Sequence, residues 1–235
     1  VISAVGAKRC LGCAVAWGAT TVGLGEVELT SKKEKMTFSL GSMNGITTWI
    51  EPVKEYLECA GKVIVEENFF SARWAKLVIN SAFSPLSAMS GMTFGQVSRG
   101  KYSKRIALEL LNEAFTVAEQ CGVEIAPLQG HDLVRLYRCK GKFKTVVARM
   151  LLPFAMSNHR DLKSGMYADL SAGKRCDVDF INGVIKKIGK KFQVKTPVND
   201  EVIALVRSIE KGEREISADN IKIIYDKVFN KAEKQ

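Results

Sequence analysis

The hydrophobic pattern of this 235-residue chain changes once, near residue 67, and that change constrains the fold more than any other feature. Ahead of it, short stretches alternate or run apolar, as strands do; after it, segments repeat at the helical interval. Cys10 to Trp17 is a near-continuous apolar run, the pattern of a buried strand. Gly18, Gly23 and Gly25 punctuate a turn or loop. Glu26 to Thr30 alternates, Ser31 to Lys35 reads as a charged turn, and Met36 to Leu40 alternates again, which predicts a hairpin with one solvated face. Ser42 to Ala60 reads as an amphipathic helix with Ile46, Trp49, Ile50, Val53 and Leu57 inward. Pro52 either kinks that helix or marks a late start. Gly61 ends it, and Lys62 to Glu66 is a further short strand. Strands with a helix between them predict part of an α/β layer.

From Asn68 onward the pattern predicts helices over 70–90, 103–121, 129–138, 143–156, 164–172, 177–191, 197–211 and 218–232. Glycines at 122, 141, 173 and 212 separate them, Pro127 and Pro197 sit at or just before starts, and Ser217 is placed to cap the last. The expected organisation is an α/β piece over 1–67 and an all-α piece over 68–235.

Within the first of these helices, Arg73 to Leu86 carries Trp74, Leu77, Val78 and Phe83 at roughly helical spacing. Lys76, Asn80 and Ser84 recur at intervals of four and share one face. An ammonium, an amide and a hydroxyl on the flank of an apolar helix are costly to bury without partners, and a polar ligand would supply them. Alternatively, Lys76 extends its ammonium to solvent and Asn80 caps a neighbouring loop.

Composition narrows the classes. With 46% hydrophobic residues the chain can bury a sizeable core. No apolar run reaches the ~18 residues a membrane-spanning helix needs. No basic-then-apolar leader stands at the start, and Val1 in place of Met suggests a fragment or a processed product. The net charge of +10 favours anionic partners. The basic clusters, such as Arg138, Lys140, Lys142 and Lys144, lack interleaved aromatics, so they read as solvated surface rather than a nucleic-acid face. Cys10 and Cys13 form a lone C-x-x-C with no second pair and no histidine at ligand spacing, which argues against zinc. Reduced thiols in a cytosolic protein are the simpler expectation. Gly23-Leu24-Gly25 is followed by Glu26-Val27-Glu28, so no G-x-G-x-x-G phosphate turn is present.

Four patches carry a family resemblance. They are Gly18-Ala19-Thr20 with Gly23 to Val27; Trp74-x-Lys76-x-x-x-Asn80 with Ser84-Pro85-Leu86; Ser164-Gly165-Met166 with Asp169 and Gly173-Lys174; and Asp177 to Gly183 with Gly189 and Thr196-Pro197-Val198-Asn199. In order and approximate spacing they resemble the ketopantoate reductase (2-dehydropantoate 2-reductase) family across nearly the whole chain. The resemblance implies that residues 1–67 are the C-terminal part of a Rossmann-type NADP-binding domain whose opening strands and glycine-rich turn precede this chain. It implies that residues 68–235 are an all-α substrate and dimerisation domain, similar to the C-terminal domain of 6-phosphogluconate dehydrogenase.

The implied chemistry is hydride transfer from NADPH to ketopantoate, giving pantoate for coenzyme A biosynthesis, or reduction of a related 2-oxo acid. Negative charge grows on the carbonyl oxygen as hydride arrives, so a positioned acid must stabilise and protonate it. By resemblance Lys76 is that proton donor, Asn80 hydrogen-bonds the substrate, Ser84 reaches its far end and Ser164 meets its carboxylate or hydroxyl. Ala19 falls where a backbone group meets the nicotinamide, and Asp177 where an acid touches the cofactor. A cytoplasmic homodimer, with no metal, nucleic acid or membrane partner, completes the expectation, and this chain alone is expected to be inactive. A non-catalytic binding or dimerisation module of the same fold is the alternative. Asp177 stands where the family commonly has Glu, Ser84 where it has Asn, and Gly165 where it has a second serine. These shorter side chains fit either a roomier pocket or tolerated drift. Asp177 and Ser164 are also plausible helix N-caps, and Asn182-Gly183 is read as a packing feature.

Overall fold

The computed structural model describes residues 1–230 apart from 16, 31 and 129, and the side chains of 35 and 158 are also left undescribed. The parts of the expected elements that fall on 16, 31, 129 and 231–232 lie outside the described residues. The chain divides into two compact units, Val1–Arg73 and Trp74–Gln235.

In the first unit a short helix, α1 (Ile2–Val5), precedes β1 (Leu11–Val15), β2 (Ala19–Gly23), β3 (Glu26–Leu29), β4 (Thr37–Ser42), α2 (Ile50–Glu58) and β5 (Lys62–Val65). A three-stranded sheet has the order β1-β4-β5. β1 runs antiparallel to β4, with Leu11 opposite Ser42. β5 runs parallel to β4, with Thr37 opposite Lys62. A parallel pair needs a crossover, and α2 supplies it. β2 and β3 form a separate antiparallel pair.

The expected hairpin between the segments at 26–30 and 36–40 is therefore corrected: β3 pairs back with β2, not forward with β4. Gly25, at φ 76°, supplies the left-handed residue that the tight β2–β3 turn needs. β4 is committed on both edges and buries Phe38, Leu40 and Gly41, so it is a central strand rather than a half-solvated hairpin arm.

Two glycines admit a ring. Gly12 and Gly41 face each other across β1 and β4, and a Cβ on Gly12 would fall 1.8 Å from Cε1 of Phe69. Phe69 is 3% exposed there. Of the two readings of Pro52, the late start holds: α2 begins only at Ile50, so Pro52 falls in the first turn, where its missing N–H costs little. Trp49, expected inward, precedes the helix and is 58% exposed.

The long helix α3 (Phe69–Ser90) begins in the first unit and continues into the second. After it come α4 (Phe94–Arg99), α5 (Ser103–Gln120), α6 (Leu133–Tyr137), α7 (Lys142–Ala155), α8 (Gly165–Ser171), α9 (Val178–Lys191), α10 (Pro197–Glu210) and α11 (Asp219–Tyr225), then a π-helical turn over Asp226–Asn230. Among the described residues the only β pairing of the second unit is the isolated bridge Leu128–His131. α4 was not expected, although Thr93-x-x-Gln96 is a capping box that the sequence carries openly: Gln96 N–H donates to Thr93 Oγ1 and Thr93 N–H to Gln96 Oε1. α6 is shorter than expected and begins behind Asp132, whose carboxylate accepts from Arg135 N–H. Ser217 accepts from Asp219 N–H, one position ahead of the Ala218 cap of α11.

The core of this unit is built on α5, where Ile106, Leu110, Leu111, Ala114 and Val117 are fully enclosed. From α3 it receives Val78, Ala82, Phe83 and Leu86. α9 and α10 close it, with Val194 O so near Gly189 that a Cβ there would sit 2.9 Å away.

Candidate functional site

α3 sets the geometry of the expected site. Its buried face forces the opposite flank outward, and Lys76 and Asn80 on that flank are half-buried. Ser84, one turn further on, is 8% exposed. Successive members of this row stand about 6 Å apart along the helix axis. The row therefore grades from a half-buried cation to an enclosed hydroxyl, an arrangement suited to a small anionic molecule lying along the helix.

Ser164 is brought to this row across the fold. Its Oγ donates to the Ser84 carbonyl at 2.9 Å and accepts from Tyr167 N–H at 3.1 Å, which makes it the N-cap of α8. Its own N–H donates to Ser87 Oγ at 3.1 Å. A hydroxyl has one proton to give. A substrate carboxylate would receive it only if Ser164 turned away from Ser84. Asp177 stands at the N-cap position of α9 but makes no side-chain capping bond, and it is exposed. Ala19 opens β2 in the first unit, also exposed.

A buried polar chain adjoins α3, and the sequence reading missed its centre. Asn182 and Asn199 are 0% exposed and Glu113 is 7% exposed. Asn182 Nδ2 donates to Ser81 O at 2.8 Å and to Asn199 Oδ1 at 2.9 Å. Asn199 Nδ2 donates to Glu113 Oε2 at 2.7 Å. Glu113 also accepts from Val198 N–H at 2.7 Å and Asn199 N–H at 3.0 Å. Those are first-turn amides of α10, whose own N-cap, Thr196, makes no capping bond. The carboxylate of one helix thus caps another. Burial pushes the Glu113 carboxyl up to about 7, against three hydrogen bonds that favour the ionised form; the nearby Glu109 pushes the same way as burial. The signal was present in the sequence: with Ile106, Leu110 and Val117, Glu113 occupies an apolar position of the α5 repeat.

A cavity of about 530 Å³ lies elsewhere in the second unit, against Thr93, Gln96, Arg99, Arg160 and Asp161. It includes none of the expected site residues, and its two arginines are exposed. Arg160 already pairs with Asp161 at 3.2 Å.

Against known proteins, the model of the ketopantoate reductase PanE/ApbA C terminal matches residues 68–210. The chain belongs to the ketopantoate reductase family. The matched span runs from the start of α3 to the end of α10, so it contains Lys76, Asn80, Ser84, Ser164 and Asp177; Ala19 lies outside it. A 2-dehydropantoate 2-reductase of Pyrococcus horikoshii is 30% identical over 169 residues, covering 71% of this chain and 49% of the relative. One from Archaeoglobus fulgidus is 30% identical over 207 residues, covering 87% of this chain and 62% of the relative. The crystal structure of a PanE/ApbA family ketopantoate reductase from Ralstonia eutropha superposes with a TM-score of 0.68 at 25% identity, covering 86% of this chain and 60% of the other. The chain thus spans roughly half to three-fifths of the length of the relatives it matches. The α/β unit is part of a Rossmann-type domain, and the all-α unit is the family's C-terminal domain. No helix among the described residues is long and apolar enough to cross a membrane.

Proposed function

We propose that the whole protein of which this chain is part reduces ketopantoate, or a closely related 2-oxo acid, with NADPH as hydride donor. The observation that carries this reading is the polar row of α3. Lys76 and Asn80 sit half-buried, one turn apart, inside the span that the family model matches. In this reading Lys76 donates the proton to the carbonyl oxygen as hydride reaches the adjacent carbon. Asn80 orients the same end of the substrate. Ser84 closes the far end, with its backbone held by Ser164, so the substrate role of Ser164 runs through Ser84 unless its hydroxyl turns. Asp177 and the backbone at Ala19 are assigned to the cofactor; both are exposed in this structure, as a group that meets a separate molecule must be. We assign 1–67 to the tail of the cofactor domain and 68–235 to substrate binding and dimerisation. A homodimer is supported by an apolar row on α7, where Phe143, Val146, Met150 and Phe154 are 81, 53, 71 and 71% exposed. A cytoplasmic location is supported by six cysteines, none in a disulfide.

The test is a spectrophotometric screen of 2-oxo acids with NADPH and NADH on the full-length protein, with Lys76→Ala beside it. General-acid assistance is worth about 10²- to 10⁴-fold in rate, and the variant should lose that much of kcat. Undiminished turnover in Lys76→Ala would refute its role, and no turnover of any 2-oxo acid would refute the reading as a whole.

A further inference from the structure

A proline sits inside α3, at position 85. It has no N–H, so the helical bond that would end on the carbonyl four residues back, that of Ser81, cannot form. The donor standing at that carbonyl is Asn182 Nδ2, 2.8 Å away and 101 residues distant in sequence. We propose that Asn182 is a positioning residue for the active site: it takes the place of the backbone N–H that Pro85 lacks, and so fixes the helical arm that presents Lys76 and Asn80.

The geometry allows little else. Both protons of the Asn182 amide are committed, one to Ser81 O and one to Asn199 Oδ1. A flipped amide would set its oxygen against two acceptors, so the donor role is imposed by the partners. Asn199 is held in turn by Glu113, which is anchored on the first amides of α10. The support for Ser81 is thus tied to α5, α9 and α10 together. Asn182 Oδ1 is buried without a partner, an expensive feature to keep in a core. An apolar residue would fill that place without stranding an acceptor, but it could not hold Ser81.

The helix is held at two places around Pro85 by different partners. The carbonyl of Ser84, directly before Pro85, and the hydroxyl of Ser87, two residues after it, are tied to Ser164. The arm with Lys76 and Asn80 is tied through Ser81 to Asn182. Releasing Asn182 frees that arm at the point where Pro85 leaves the helix without its own bond, and Lys76 moves relative to Ser84. A displacement of about 1 Å at reacting groups costs on the order of 10²-fold in rate.

The inference rests on the assignment of Lys76 as proton donor, and the test separates the two. The full-length enzyme is prepared as Asn182→Ala, Pro85→Ala and the double variant. We expect Asn182→Ala to lower kcat by roughly 10- to 100-fold with a smaller change in KM, and to speed amide exchange over residues 76–84. Pro85→Ala alone should stay within about twofold of the parent. In the double variant the restored backbone N–H reaches Ser81, and both kcat and exchange protection should recover. A generic core defect predicts a lower melting temperature and no rescue specific to position 85; that result overturns the proposal, as does unchanged exchange in Asn182→Ala. If the parent turns over no 2-oxo acid, the functional reading fails, and the exchange cycle alone decides the clamp. Should Asn182→Ala not fold, Asn182→Ser, with a donor of shorter reach, carries the same comparison.

Discussion

The buried carboxylate of Glu113 makes a prediction whose sign and size both follow from its surroundings. Its pKa rises from an ordinary 4.5 to about 7 on folding, chiefly because burial disfavours the charge. Between those values the native state holds a proton that the unfolded chain has released, so stability falls as pH rises. The contribution is fully present below about 4.5, is lost as pH climbs to about 7, and is constant above that. At about 1.4 kcal/mol per pKa unit, the rise corresponds to about 3 kcal/mol. Glu113→Gln removes the titration. It also turns an amide N–H toward one of the two backbone donors at Val198 and Asn199, a pH-independent cost of about 1–3 kcal/mol. Urea denaturation of both proteins at pH 5, 6, 7 and 8 gives the test. The variant should be the less stable at pH 5, and the gap should narrow by about 2–3 kcal/mol toward pH 8. Parallel stability curves would refute the reasoning, because they would show that Glu113 has the same pKa folded and unfolded.

Other substitutions test other parts of the structure. Gly12→Ala drives a methyl into the Phe69 ring and should cost about 1–3 kcal/mol in chemical denaturation, and Phe69→Leu in the same background should recover part of it. Ser164→Ala removes the α8 cap and the bond to the Ser84 carbonyl, and should cost about 1–2 kcal/mol on the same measure. Cys176 is 8% exposed, and burial pushes its thiol up to about 11. Alkylation at pH 8 followed by mass spectrometry should modify the exposed Cys59 at least about tenfold faster.

Much of the local structure was legible in the sequence because it depends on neighbours in the chain. The helical repeat located α3, α5, α7, α8, α9 and α10 to within a residue or so at each end, since apolar spacing and glycine punctuation act over a turn or two. The row of Lys76, Asn80 and Ser84 followed from the same interval, and so did its place on the flank of a buried helix. Strand partners did not follow. The alternation at 26–30 and 36–40 suits any antiparallel neighbour, and only the turn at Gly25 and the burial of β4 decided which strands met.

What the sequence determined by itself was therefore most of the longer helices, the polar row on α3, and a proline in that helix that removes one backbone bond. What the tertiary structure decided was who replaces that bond. Asn182 reaches Ser81 from 101 residues away, and Glu113 reaches Asn199 from 86. Spacing along a chain fixes what shares a helix face, because the helix has one geometry. It leaves open which faces meet, because that depends on how all the apolar surfaces are buried at once. Asn182 reads as a packing residue, and Glu113 shows only as an acid at an apolar position of its helix, until the packing of α3, α5, α9 and α10 encloses them, where each must find a partner.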